Sequence, residues 1–175
     1  MTILGKTDVL MISVNVEGET MADPHEEHLK LFIRDRGISA EHLSFDRSCH
    51  TVAEAAAAVG APPEDLVKNI CMVSEDGGFI VAIVKGEDRA STSRVAKALN
   101  VPSVRMATPE EVFVNTGFPC GGTPSFGFPA TVLVDPRVLE KGHVYTGGGS
   151  ENSLVRVEAA ELLRASGGRV VRVRR

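Results

Sequence analysis

A chain of 175 residues with 43% hydrophobic and 24% charged content has the size and balance of one globular domain, which excludes a disordered chain and a two-domain assembly. No apolar run approaches the roughly 18 residues of a membrane span, and no cationic start leads into an apolar stretch and a cleavage site. Neither membrane insertion nor export is indicated, and a cytoplasmic location follows by default. The net charge of −4 excludes a protein that coats duplex DNA through clustered cations, while leaving room for selective binding of one RNA end.

Residues 1–22 read as an N-terminal extension, not native or poorly ordered, ahead of a domain over 23–175. Its "DVLMISVNV" suggests an added strand, but Gly18, Glu19 and Thr20 interrupt it just before a second methionine, Met21. "ADPHEEHLKLFIRDRG" is then a well-signalled helix: Asp23 is the N-cap, Pro24 takes the first helical position and Gly37 stops it. His25 and His28 lie at i and i+3 on this acid-rich helix and are expected on a solvated face. "HTVAEAAAAVG" predicts a second helix, with Thr51 and Glu54 as a capping box and Gly60 as terminator.

"LVKNICMV" and "FIVAIVKG" are β-rich runs separated by Glu75, Asp76, Gly77 and Gly78, so they predict a central hairpin. A helix over "STSRVAKALN", a strand over "SVRMA" and a short helix over "TPEEVF" follow. After "FPCGGTPSFGFPAT" come strands at "ATVLVD", "HVYT" and "LVRV", a helix at "EAAELLRAS", and a final strand through "RVVRV". Strands outnumber helices and are often joined by short turns. The expected class is mixed α+β, with a mostly antiparallel sheet core and surrounding helices.

Lys68 is the anomaly among the strands, because apolar neighbours on both sides carry its strand into the core. Burial disfavours an ammonium, so it is either the snorkelling end of an edge strand or a functional cation. The turns "TGFPCGG" and "TGGGSEN" both offer unshielded backbone amides, which suit an anion or a developing oxyanion as well as a plain hairpin. Neither fits a Walker loop or a dinucleotide fingerprint, so no nucleotide cofactor is implied.

The three cysteines, Cys49, Cys71 and Cys120, are irregularly spaced and suit reduced thiols better than disulfides. Cys120 is a candidate nucleophile that would need His50 or His143 brought to it by the fold. A metal site from Cys49, His50 and Cys120 matches no recognised ligand spacing, and none is expected. The terminal "RVVRVRR" alternates valine and arginine like an edge strand with one solvated face, or else forms a phosphate-contacting tail.

Taken in order, "HTVAEAAAAVGAPPEDLVKNICMV", "SRVAKALNVPSVRMATPEEVFVNTGFPCGGTPSFGF" and "HVYTGGGSENSLVRVEAAELL" resemble the YbaK/EbsC family of aminoacyl-tRNA deacylases, free-standing relatives of the editing domain of bacterial prolyl-tRNA synthetases. The resemblance implies an ester hydrolase that acts in trans on mischarged tRNA, most typically alanine or cysteine on tRNA for proline. Lys68 matches the family's essential lysine and is implied to hold the 3′-terminal adenosine. The amides around Gly121 and Gly122 are implied to polarise the ester carbonyl, and a water to attack it. His50, Thr51, Thr123, Pro124, Ser125, Gly147, Gly148, Gly149 and Ser150 complete the implied substrate-binding set, with no metal or cofactor. Implied partners are the tRNA acceptor end carrying a small amino acid and an aminoacyl-tRNA synthetase. Ser125 stands where related loops carry proline, and its hydroxyl is a candidate for positioning a polar substrate. The alternative is a non-catalytic module that binds tRNA ends or a synthetase.

Overall fold

A computed structural model describes residues 21–175, so the strand expected within "DVLMISVNV" lies outside the described residues. Helix α1 (Pro24–Asp35) starts where Asp23 accepts the His25 and Glu26 amides at 2.8 and 3.2 Å. Its Leu29 and Ile33 turn into the core. His28 is exposed, as expected, and His25 is half-buried; their rings also lie beside those of Phe118 and Phe113 respectively.

Strand β1 (Ala40–Ser44) pairs antiparallel with β7 (Ser153–Glu158), which pairs antiparallel with β6 (His143–Gly147), giving a three-stranded sheet. The second sheet has five strands in the order β4 (Val104–Met106), β2 (Val67–Ser74), β3 (Phe79–Lys85), β5 (Thr131–Val134), β8 (Arg169–Val170). The expected β2–β3 hairpin is present in the centre. From β3 outward the pairing turns parallel, to β5 and then β8.

The larger sheet is buried on both faces, which is why β3 reads "FIVAIVK" with no polar alternation. On one face Val67, Cys71, Val81 and Ile83 join α1, the smaller sheet and α5 (Ala159–Ser166) in the main core. On the other, Met72, Ile80, Ala82 and Val84 meet Val95 of α3 (Thr92–Leu99) and Val173 of the C-terminal segment. Burial of this kind supplies about 25 cal/mol per Å² of apolar surface and carries most of the stability.

Helix α2 (Val52–Val59) has the capping box expected of Thr51 and Glu54, with Gly60 left-handed at its end. Helix α4 (Pro109–Thr116) runs past the expected "TPEEVF" because Gly117, at φ 77°, supplies the terminator one turn later. The last strand is shorter than expected. Asp135 takes the amides of Val173 and Arg174 at 3.0 and 3.1 Å and draws the chain off the sheet ladder.

Candidate active site

Among the described residues strand β4 pairs with Met72–Ser74 of β2, and the first half of β2 has no strand beside it on that edge. A cavity of about 280 Å³ opens there. It is bounded by Leu66 and residues 67–71 of β2, the turn of Cys49, His50 and Thr51 before α2, Cys120, Gly121 and Thr123 of the following loop, and Tyr145, Thr146 and Gly147 of β6. Met106 and Val112 close the remaining side. The volume sits just below the ~300–1,000 Å³ typical of small-molecule sites, which suits a small group attached to something larger outside.

Strand alternation sends Lys68, with Ile70 and Met72, toward the α3 face, and Asn69 and Cys71 toward the other. Lys68 is half-buried and forms no ion pair or hydrogen bond among the described residues. Desolvation pushes its ammonium below the usual lysine range, and the nearby Arg89 adds to this while Asp88 opposes it. Among the described residues no aspartate or glutamate lines the cavity. A partly desolvated cation in a cleft without carboxylates is a position that an anion would satisfy.

The two glycine-rich turns are fastened to each other. The Gly149 amide donates to the Gly122 carbonyl at 2.8 Å, and a Cβ on Gly122 would lie 2.7 Å from the Ser150 backbone. Gly121 is at φ 95° with its α-carbon facing His50, whose Cε1 would be 2.7 Å from an added Cβ. The Gly122 amide is not available as an oxyanion donor, since it closes a turn onto the Pro119 carbonyl at 3.0 Å. Among the described residues the Gly121 and Thr123 amides make no hydrogen bond, and both residues line the cavity.

Of the residues expected in the site, Lys68, His50, Thr51, Gly121, Thr123 and Gly147 line one cavity. Thr51 also caps α2, accepting the Glu54 amide at 3.1 Å, and His50 Nδ1 stands 3.5 Å from Glu151. Gly122, Pro124, Ser125, Gly148, Gly149 and Ser150 lie behind the wall instead. Gly149 packs on the His25 carbonyl of α1, and the Gly148 carbonyl contacts His42 Nε2 at 2.7 Å. The Ser150 hydroxyl donates to Glu26 at 2.6 Å.

Ser125 is fully buried and faces no substrate. Its hydroxyl donates to Asn69 Oδ1 at 2.7 Å and lies 2.7 Å from Thr146 Oγ1. Asn69 Nδ2 in turn donates to Thr146 Oγ1 and to the Thr123 carbonyl, both at 2.9 Å. The Thr123 contact fixes the amide orientation, and each hydroxyl has one proton. The three side chains therefore form a closed ring: Ser125 to Asn69, Asn69 to Thr146, Thr146 to Ser125. Sequence reasoning passed over Asn69 and Thr146. An asparagine inside an apolar strand, a residue type depleted in strands, was the available signal.

All three cysteines border the cavity, with Cys49 and Cys71 buried and Cys120 exposed. Burial, then the neighbouring Cys120, pushes the Cys71 thiol up to about 12, so it stays protonated. Cys49 is raised as well, by burial and then Glu54. Cys120 forms no hydrogen bond with His50 or His143 among the described residues, so no thiol–imidazole pair is assembled. Among those residues there is also no cluster of three or more His, Cys, Asp or Glu placed to hold a metal.

Residues 46–165 match the model of the aminoacyl-tRNA editing domain. The chain belongs to this family. A solved structure of a candidate trans-editing enzyme for prolyl tRNA synthetase superposes with a TM-score of 0.82 at 31% identity, over 87% of this chain and 98% of that one. The structure of a hypothetical protein gives 0.78 at 32% identity, over 85% and 99%. Among curated proteins, a proline–tRNA ligase of Acidithiobacillus ferrooxidans is 35% identical over 101 residues, 55% of this chain and 17% of the ligase. That of Thermotoga neapolitana is 29% identical over 98 residues, 56% and 17%. The chain thus spans under a fifth of these ligases. The mixed α+β architecture matches that of the editing-enzyme structure, and among the described residues no helix is long and apolar enough to cross a membrane.

Proposed function

We propose that this chain acts in trans to hydrolyse the ester between a small amino acid and the terminal ribose of tRNA, with alanyl- or cysteinyl-tRNA for proline as the leading substrates. The observation that carries the reading is the cavity itself: one unpaired, half-desolvated lysine, no carboxylate among the described residues, and two unengaged loop amides. Lys68 holds the 3′-terminal nucleotide through its phosphate or the substrate carbonyl, in a charge-assisted hydrogen bond. The Gly121 and Thr123 amides polarise the ester carbonyl.

Water attacks the carbonyl carbon, helped by a hydroxyl of the terminal ribose. The tetrahedral oxyanion then collapses, the ester C–O bond breaks, and the departing ribose oxygen takes the proton from the attacking water. The products are the free amino acid and uncharged tRNA. An aminoacyl ester is already activated, so positioning and fixed dipoles can supply the rate without a protein nucleophile. A wall of packed backbone rejects a larger side chain by clash.

The test is single-turnover deacylation of alanyl-, cysteinyl-, seryl- and threonyl-tRNA. Hydrolysis of at least one well above its spontaneous decay is expected. Binding of tRNA with no turnover across the panel would replace this reading with the non-catalytic module.

A further inference from the structure

We infer that the outer surface of α3 and the C-terminal segment is a docking face for the sugar-phosphate backbone of the tRNA acceptor stem, which leads the 3′ end past Arg89 to Lys68. The inference rests on the tRNA reading above and adds a surface outside the cavity.

Charge is divided unevenly along the chain. Residues 87–100 and 169–175 hold seven arginines and lysines against two carboxylates, while the remainder holds twelve against twenty-one. The fold brings those two segments together. The Ser91 amide donates to the Val173 carbonyl at 2.7 Å, the Arg175 amide to the Arg89 carbonyl at 2.9 Å, and the Arg169 guanidinium to the Ala98 carbonyl at 2.5 Å. Val95 and Val173 both point inward, which leaves Arg94, Lys97, Arg172 and Arg175 exposed.

None of those four forms an ion pair among the described residues, whereas Arg34, Arg105, Arg137 and Arg164 elsewhere each meet a carboxylate. A surface that only needed solubility would interleave both signs. An unneutralised cationic face on an otherwise acidic protein is an electrostatic footprint for a polyanion. It adjoins the cavity, since Arg89 lies close enough to Lys68 to help depress its ammonium. Lys68 projects to the same side of the sheet as α3. RNA is favoured over an anionic membrane because Val173 is buried and Val171 half-buried, leaving Val170 as the single exposed valine of the C-terminal segment and little apolar surface to insert.

The experiment compares wild type with Arg94→Gln/Lys97→Gln/Arg172→Gln/Arg175→Gln. Anisotropy of an uncharged acceptor-stem minihelix is followed over a salt series, beside hydrolysis of alanyl-adenosine, which has no stem. The variant is expected to bind the minihelix at least ~10-fold more weakly at low salt, with a log–log salt slope reduced by about one for each phosphate that is no longer neutralised. Its hydrolysis of alanyl-adenosine should equal that of wild type. Unchanged minihelix affinity and slope, no wild-type binding, or an equal decline on both substrates would overturn the docking face. So would binding to phosphatidylserine vesicles, titrated in parallel, that the substitutions abolish while minihelix binding is unchanged. The two readings fail separately: minihelix binding that depends on the four cations stands even if no ester is hydrolysed, and intact hydrolysis with unaltered binding leaves the function standing alone.

Discussion

Replacing Ser125 by alanine takes one member from the ring behind the cavity. The hydroxyl makes two hydrogen bonds of 2.7 Å, with Asn69 Oδ1 and Thr146 Oγ1, at a fully buried position. Each such bond contributes about 1 kcal/mol net, and a buried group left without its partner costs about 1–3 kcal/mol. Asn69 Oδ1 is left without its donor and the Thr146 proton without its acceptor, so we expect Ser125→Ala to lower stability by about 2–4 kcal/mol. Thr146→Val removes the opposite hydroxyl with little change of volume and should cost a similar amount, because one of the two Asn69 Nδ2 protons then loses its acceptor and Ser125 loses the donor to its oxygen, while the Asn69 bond to the Thr123 carbonyl remains. In the double variant neither hydroxyl awaits the other. Its destabilisation should fall short of the sum of the two single effects by ~1 kcal/mol or more. Urea unfolding of the four proteins measures this, reading the midpoint at constant slope. Additivity within ~0.3 kcal/mol, or a Ser125→Ala cost below ~0.5 kcal/mol, would refute the ring.

Three further outcomes are expected. Gly121→Ala combines a left-handed backbone with a side chain driven into His50; it should slow deacylation by at least ~10-fold while costing about 1–3 kcal/mol, and unchanged rates would detach the loop from the reaction. Cys120→Ala should retain most of the activity, because among the described residues that thiol is paired with no base; abolition of turnover would bring back a cysteine mechanism. Acid should destabilise the fold between about pH 4.5 and 2, where Glu111 and Glu161 titrate. Arg105 and Arg164 hold these two carboxyls down to about 2, so each favours folding above its unfolded value of 4.5 and loses that contribution as pH falls through the folded one. Asp135 works in the same direction: burial would raise it, but amides of Arg137, Arg174 and Val173 outweigh that. A stability that is flat from about pH 5 to 2 would contradict these assignments.

What could be read from the sequence was local. Asp23, Thr51 and Thr108 cap helices because a side-chain oxygen needs only the amides two or three residues on. The hairpin of β2 and β3 is written in its own turn. The parallel pairing of β3 with β5 and the separate three-stranded sheet depend on partners far along the chain and left no local mark. The site divided in the same way. Lys68 stood out because one residue violates its own strand, and the turn of His50 and Thr51 entered through the family resemblance. Nothing local in "GGTPS" tells that Gly122 faces backward to Pro119 and Gly149, or that Ser125 points at Asn69, 56 positions away. Ser125, expected to position a substrate, is instead buried behind the wall against Asn69 and Thr146.

The central claim is that Lys68 serves the reaction by holding the tRNA end, in a cavity where no other lysine or arginine is found among the described lining residues. The most direct measurement is single-turnover deacylation of alanyl-tRNA by wild type and Lys68→Ala. Removing a charge-assisted hydrogen bond of about 1.5–3 kcal/mol predicts a kcat/KM lower by at least ~10-fold, with the fold retained because Lys68 has no hydrogen-bond or ion-pair partner to orphan among the described residues. A rate within about twofold of wild type would contradict the account.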